Sequence, residues 1–166
     1  MKVQLLSDLH LERQPDFLAT PAPGADVLVL AGDIGSYQAR SRLRGSDFGL
    51  EQFAPRPGAW KTVLYVPGNH EYDGLEFDEA HRRLRETCER LGITWLERAV
   101  VTLGTVRFIG TTLWSDFDAL AHGVEGSVPP GSRLAWQLAQ REKAFRAANF
   151  YLRKYTALRQ GELMMA

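Results

Sequence analysis

The chain has 166 residues, with 20 basic and 20 acidic side chains and a formal net charge of zero. This balance excludes a global field that would attract nucleic acid or an anionic membrane, although it leaves a local basic patch open. No apolar run approaches the length that crosses a bilayer, and the first residues lack the pattern of a signal peptide. The single cysteine, Cys88, excludes an internal disulfide and fits a reducing compartment. We therefore expect one cytoplasmic domain over residues 1–166.

Short apolar runs bounded by turn residues predict three buried strands, at residues 2–6, 26–31 and 61–66. A helix is expected over residues 76–91, and Gly92 stands where a glycine cap would end it. The helix prediction rests on apolar residues that recur at steps of three and four, namely Phe77, Ala80, Leu84, Cys88 and Leu91. Strands followed by a helix indicate an α/β architecture.

Three further strand-like segments follow, at residues 93–96, 100–103 and 106–109, and the last two flank Gly104-Thr105 as in a hairpin. A strand pair after the strand and helix units favours an α/β protein built in layers.

The remaining segments carry weaker signals. A helix is expected around residues 48–53, and a loop over residues 118–132, which hold glycines and two consecutive prolines. Residues 133–160 are rich in Ala, Leu, Arg, Gln and Lys, which favours a second long helix.

Polar clusters follow each of the first three predicted strands: Asp8-Leu9-His10, Gly32-Asp33 and Gly68-Asn69-His70-Glu71. Ligands of open α/β sheets bind outside the carboxyl ends of the strands, so the clusters face one crevice. Their carboxylate, imidazole and amide donors suit Mg, Mn, Fe or Zn ions. The sequence therefore predicts a metal site for phosphate ester chemistry.

The spacing within these clusters explains the chemistry. Asp8 and His10 are two residues apart, which in extended backbone points both side chains to one side, where they can hold the same ion. The carboxylate of Asp33 can bridge two ions about 3.5–4 Å apart, and Asn69 would add a carbonyl oxygen to the second. His70 is placed to contact the phosphate or to protonate the leaving oxygen. Ordinary turn chemistry would explain the aspartates and the asparagine, but not two histidines beside them.

The clusters, in this order, resemble the first three motifs of the calcineurin-like metallophosphoesterase superfamily: Asp-x-His, Gly-Asp and Gly-Asn-His-[Asp/Glu]. The resemblance covers residues 1–116 and includes the segment 111–114, Thr-Thr-Leu-Trp. It implies a layered α/β/β/α sandwich, two divalent metal ions (Mn, Fe, Zn or Mg) and a phosphate mono- or diester substrate. It also implies the site residues: Asp8, His10 and Asp33 on one ion, Asp33 as the bridge, Asn69 on the second ion, and His70 as the catalytic acid or transition-state contact.

The chain departs from the family after the third motif. The family has three more histidines, one at a strand end and two in a Gly-His-x-His, whereas only His81 and His122 follow His70 here, and neither lies in such a motif. We therefore expect a fold truncated at its C-terminus that holds one ion and has little or no activity in the 166-residue form. Uncovered apolar surface would favour self-association. Two hypotheses remain open: an incomplete dinuclear phosphoesterase, and a non-catalytic remnant or interaction module with a partial metal site.

Other polar residues are given ordinary roles. Glu71 is expected to form local hydrogen bonds, and His81, one step from the apolar stripe of its helix, to be a surface or boundary histidine. His122, in the glycine-containing loop, is expected to be solvated, although it is the one free histidine able to reach a vacant metal position. Core positions are assigned to Cys88, Trp95 and Trp114, and a solvated helix face to Arg82, Arg83 and Arg85.

Overall fold

The computed structural model describes residues 1–115, 119 and 129–155. Its centre is a parallel sheet in the order β1-β2-β3-β4, with strands β1 (Val3–Leu6), β2 (Val27–Ala31), β3 (Thr62–Val66) and β4 (Thr94–Trp95). All four strands were predicted, with ends that differ by at most one residue. Since the strands are parallel, their carboxyl ends meet at one edge of the sheet.

The expectation of burial is wrong for β1, which lies at the edge of the sheet and pairs only with β2 among the described residues. Val3 and Leu5 are 47% and 62% exposed. An edge strand has a neighbour on one side only, so its apolar side chains stay partly in water.

Helix α1 (Phe77–Leu91) confirms the prediction from periodicity. The carboxylate of Glu76 accepts a hydrogen bond from the backbone N–H of Glu79, which caps the first turn. Gly92 ends the helix in the left-handed region, with φ of 69°, and its N–H donates to the carbonyls of Cys88 and Glu89.

The predicted hairpin is confirmed as antiparallel strands β5 (Ala99–Leu103) and β6 (Val106–Gly110). The second long helix is confirmed as α2 (Arg133–Tyr155), and the residues expected to extend it to 160 lie outside the described residues.

Of the two weaker predictions, one is corrected by the structure and the other lies mostly outside the described residues. The helix expected around 48–53 is a single 3-10 turn, Leu50–Phe53. Asp47 accepts hydrogen bonds from the N–H groups of Gly49 and Glu51 at its start, and the turn ends at Ala54, which takes extended backbone because Pro55 follows it. Most of the loop expected over 118–132 lies outside the described residues, and Pro130–Ser132 form a 3-10 turn.

The core lies on both faces of the parallel sheet. Alternate side chains of the strands, including Leu28, Leu30 and Tyr65, pack with α1, and the intervening Val27 and Leu64 pack on the other face with Leu96.

Cys88 is fully buried within the cluster that contains α1, as predicted, and burial raises the pKa of its thiol to about 12. The predicted core role of the two tryptophans is confirmed in part, since both are half-buried and packed against that cluster: Trp95 and Trp114.

The described helices include none with the combination of length and apolar character that a membrane span requires.

Candidate metal centre

The loops that follow β1 and β2 run side by side at the carboxyl edge of the sheet. The N–H of Asp8 donates to the carbonyl of Gly32 at 3.0 Å, and the N–H of His10 donates to the carbonyl of Asp33 at 3.0 Å. Asp8, His10 and Asp33 all have positive φ, at 54°, 48° and 54°. Such backbone conformations are uncommon outside glycine and persist where surrounding bonds impose them. The hydrogen bonds between the loops supply that constraint here.

Two glycines allow a third loop to approach closely. A Cβ on Gly32, where φ is +81°, would lie 2.8 Å from the Cα of Gly68. A Cβ on Gly68 would lie 2.2 Å from Oδ1 of Asp33. Neither position has room for a larger residue, because the loop after β3 packs directly on Asp33.

The three loops bring a small group of ligand-type side chains together. Potential ligand atoms of His10, Asp33 and His70 all lie within 4.8 Å of one another, the one such histidine and carboxylate group in the described part of the chain. The rings of His10 and His70 are 5.1 Å apart between centroids and meet edge to face. The backbone N–H of His70 donates to Oδ1 of Asp33 at 3.0 Å.

The other two predicted ligands lie beside this group. Asp8 occupies the loop that pairs with Gly32, but its Oδ2 accepts a hydrogen bond from the hydroxyl of Ser7, and it is not a member of the group. Asn69 directly precedes His70, and its side chain is exposed.

A buried carboxylate anchors each histidine of the group. Nδ1 of His10 lies 3.0 Å from Oε1 of Glu12, and Nδ1 of His70 lies 2.6 Å from Oδ2 of Asp73. Both carboxylate side chains are 2% exposed. The hydrogen bond that Asp73 accepts from the ring is the main reason why the pKa of His70 is raised above its ordinary value. In each ring, Nε2 is left as the nitrogen that is available to another ligand.

Sequence reasoning missed Glu12 and Asp73. The available signal was their position two and three residues after a motif histidine, a spacing from which a side chain can turn back onto the ring. That signal is weak on its own, because an acidic residue at such a position is more often solvated.

Glu71 connects the loop that follows β2 to the loop that follows β3 by hydrogen bonds. It is fully buried and accepts hydrogen bonds from the N–H groups of Asp33 at 3.1 Å, Ile34 at 2.7 Å and Gly68 at 2.8 Å. Burial first, and then the charge of Asp33, raise the pKa of Glu71 to about 7. The prediction that Glu71 forms local hydrogen bonds is confirmed only for Gly68, because the bonds from Asp33 and Ile34 come from a loop that is far away in sequence.

The remaining candidates lie away from the group. His81 is half-buried on α1, with Nδ1 3.2 Å from the hydroxyl of Tyr72, and burial lowers its pKa. Arg82 and Arg85 are exposed, as predicted. Arg83 is only half exposed, because its guanidinium lies over the ring of Tyr37, 5.4 Å from the centroid. The prediction for His122 falls outside the described residues.

The donor set fits a divalent metal ion. A carboxylate and two imidazoles are ligands that Mn, Fe and Zn accept, and histidine ligands of metals usually donate their other ring N–H to a carboxylate. Glu12 and Asp73 occupy that second position. The fold and the site together define an α/β protein with a candidate metal-binding group at the carboxyl edge of its parallel sheet.

Comparison with known proteins gives the family. The sequence profile of the calcineurin-like phosphoesterases matches residues 1–138, and the chain belongs to this family, whose members normally bind divalent metals. A protein of Acanthamoeba polyphaga mimivirus is 30% identical over an alignment of 134 residues, and the match covers 69% of this chain and 44% of the viral protein. The chain therefore spans less than half the length of that relative.

A solved structure shares the fold. The crystal structure of phosphopantetheinyl hydrolase (PptH) from Mycobacterium tuberculosis superposes with a TM-score of 0.52 at 19% identity, and the match covers 84% of this chain and 51% of that one. This similarity supports the metallophosphoesterase-like fold, of which the described residues form the sheet β1–β4, the hairpin and their helices.

Proposed function

We propose that the chain is a metal-dependent phosphoesterase that hydrolyses phosphate mono- or diesters at a dinuclear site. The observation that supports this proposal is the convergence of His10, Asp33 and His70 within 4.8 Å at the carboxyl edge of the sheet. Family membership gives the class of reaction, since calcineurin-like phosphoesterases act on phosphate esters. Two bound ions would supply a water of lowered pKa and charge stabilisation for an in-line displacement.

The protein groups have distinct roles in this proposal. Asp8, His10 and Asp33 would hold the first ion, and Asp33 and Asn69 would provide oxygen ligands for the second. His70 binds the phosphate or gives a proton to the leaving oxygen through Nε2, because Asp73 occupies its Nδ1. The buried carboxylate of Asp73 thereby holds the ring in one orientation during the reaction.

The activity test uses p-nitrophenyl phosphate and bis-p-nitrophenyl phosphate with Mn²⁺ added to metal-free protein. We expect little or no turnover by this 166-residue chain, and any turnover should depend on the added metal, since the three later histidines of the family have no counterpart in the described loops. Asp33→Ala should abolish it, because this carboxylate links both ions. Asp16→Ala, at an exposed aspartate outside the group, is the matched control and should leave turnover unchanged. Turnover that survives Asp33→Ala would contradict the assigned site.

Metal binding is tested separately by calorimetry. We expect Mn²⁺ to bind at one modest site in this chain, and the histidine variants should separate ligands from bystanders. His10→Gln should weaken binding, whereas His81→Gln should not, because His81 lies on α1 beside Tyr72. Two tight sites in the wild-type chain would contradict the expectation of an incomplete ligand set.

The second candidate is a non-catalytic interaction module, which the exposed apolar residues of β1 and the hairpin favour: Val3, Leu5, Val100 and Ile109. In this proposal, two copies of the chain associate through that surface. Light scattering should then show a mass that rises with protein concentration, and Leu5→Lys should lower it. If turnover rises faster than linearly with concentration, the association also completes the site.

A further inference from the structure

The environment of Glu12 is unusual for a carboxylate. Its side chain is 2% exposed, and its Oε1 accepts hydrogen bonds from Nε2 of Gln38 and lies 3.0 Å from Nδ1 of His10. Its other oxygen, Oε2, is buried without a hydrogen-bond partner. A buried carboxylate with one unpartnered oxygen is expensive, so its presence calls for an explanation other than stability.

The hydrogen bonds determine which nitrogen of His10 carries the proton. Oε1 of Glu12 already accepts from the amide of Gln38, and it therefore acts as an acceptor. Nδ1 of His10, on the same oxygen, must donate. The neutral ring then has its lone pair on Nε2, the nitrogen available to an ion or a phosphate.

The backbone restricts the same residue from the other side. His10 has a φ of 48°, and its N–H donates to the carbonyl of Asp33. With the backbone held against Asp33 and Nδ1 held by Glu12, the imidazole is constrained at both ends. Only 5.1 Å separates its centroid from that of His70.

We infer that Glu12 is a positioning residue, which holds His10 in the Nδ1-protonated tautomer and so presents Nε2 as a ligand at the site shared with Asp33 and His70. The inference rests on the proposed function in one respect, namely that this site binds a metal ion. It adds a carboxylate outside the Asp-x-His motif to the machinery of the site. Carboxylates in this position typically contribute about 10–100-fold to metal affinity.

The test begins with the metal-free protein, so that it does not depend on activity. Long-range ¹H–¹⁵N correlation spectra of the histidine rings, at about pH 8.5 where ordinary histidines are neutral, report the tautomer of each ring. We expect His10 to carry its proton on Nδ1 in the wild type. In Glu12→Leu, this preference should be lost, while the His70 ring, which Asp73 holds, serves as an internal control and keeps its tautomer.

The second measurement is the affinity for Mn²⁺ by calorimetry. Glu12→Leu should lower it about 10–100-fold, and Glu12→Gln, whose amide oxygen can still accept from Nδ1, should keep the tautomer and recover most of the affinity. Arg13→Ala is the matched control. Its Nε lies 3.9 Å from the same Oε1 and its side chain is 76% exposed, while its backbone bond to the carbonyl of His10 is kept in the variant, so both readouts should stay at the wild-type value.

The outcomes separate the inference from the proposed function. An unchanged His10 tautomer in Glu12→Leu overturns the inference, as does a changed tautomer with unchanged Mn²⁺ affinity. Should Glu12→Leu not fold, the wild-type spectrum carries the test, because a His10 ring protonated on Nε2 instead of Nδ1 would equally overturn the inference. A wild-type chain with the expected tautomer but no Mn²⁺ binding would refute the metal site itself and reduce the Glu12–His10 pair to a structural contact.

Discussion

The loops at the carboxyl edge of the sheet bury charged side chains, whereas the β5–β6 hairpin exposes apolar ones. Three carboxylates are buried in the loops, where Glu12, Glu71 and Asp73 are each at most 2% exposed. In the hairpin, Val100 and Ile109 are 56% and 69% exposed. The loops are thus held by internal hydrogen bonds at the cost of burying charge, whereas the hairpin keeps apolar surface in water. The first arrangement suits a site that must be rigid, and the second suits a surface that another element or molecule covers.

The largest expected effect comes from breaking the hydrogen bonds beneath the loops. Glu71→Leu should lower the free energy of unfolding by about 3–5 kcal/mol, because the buried N–H of Ile34 and those of Asp33 and Gly68 lose their acceptor. Urea titration followed by tryptophan fluorescence measures this loss. Glu71→Gln retains one acceptor oxygen, so its free energy of unfolding should lie between those of the wild type and Glu71→Leu. A Leu variant as stable as the wild type would show that these bonds do not hold the loops.

A smaller effect is expected from filling the space between two loops. Gly68→Ala should cost about 1–3 kcal/mol, because its Cβ would lie 2.2 Å from Oδ1 of Asp33 and force the loops apart. The same variant should also weaken Mn²⁺ binding, since Asp33 has to move. Gly131→Ala is the control, because a Cβ there meets no atom within 4 Å. Equal unfolding midpoints for the two variants would contradict the close packing.

The junction of the two regions is Thr112, at the end of the hairpin. Its hydroxyl donates to the carbonyl of Pro67 at 2.8 Å and lies 3.0 Å from Oε2 of Glu97. Thr112→Val preserves the shape of the side chain and should cost about 1 kcal/mol. Thr111→Val removes only long contacts of an exposed hydroxyl and should cost less than about 0.5 kcal/mol. Similar losses in both variants would mean that Thr112 does not link the regions.

The smallest effect on stability is expected on the hairpin surface. Ile109 lies opposite Val100 in the register, and Ile109→Thr should change the free energy of unfolding by less than about 0.5 kcal/mol, because Thr retains β propensity at an exposed position. Self-association, measured by light scattering, should nevertheless decrease. Thr102→Val, at another exposed position of β5, should increase it. If neither variant changes the mass, the hairpin is not the associating surface.

Periodicity and turn chemistry were sufficient to predict most of the elements. The strands, the helix over Phe77–Leu91 and the hairpin follow from residue spacing that is local in the chain. The exposure of β1 could not be predicted, because a strand's place at the edge depends on which other strands pair with it. The shortness of the 3-10 turn at Leu50–Phe53 is different, because Pro55 is a stop signal that the sequence itself contains.

The candidate site also combines features that the sequence determines with features that only the tertiary structure decides. The sequence by itself determined that the motif residues follow strand ends, and hence that His10, Asp33 and His70 share one edge of the sheet. Only the tertiary structure decided how they are held, because hydrogen bonds between loops far apart in sequence set the positive φ angles and the burial of Glu71. The roles of Glu12 and Asp73 are decided there too, since an acidic side chain turns toward a histidine only when the surrounding packing excludes water from it.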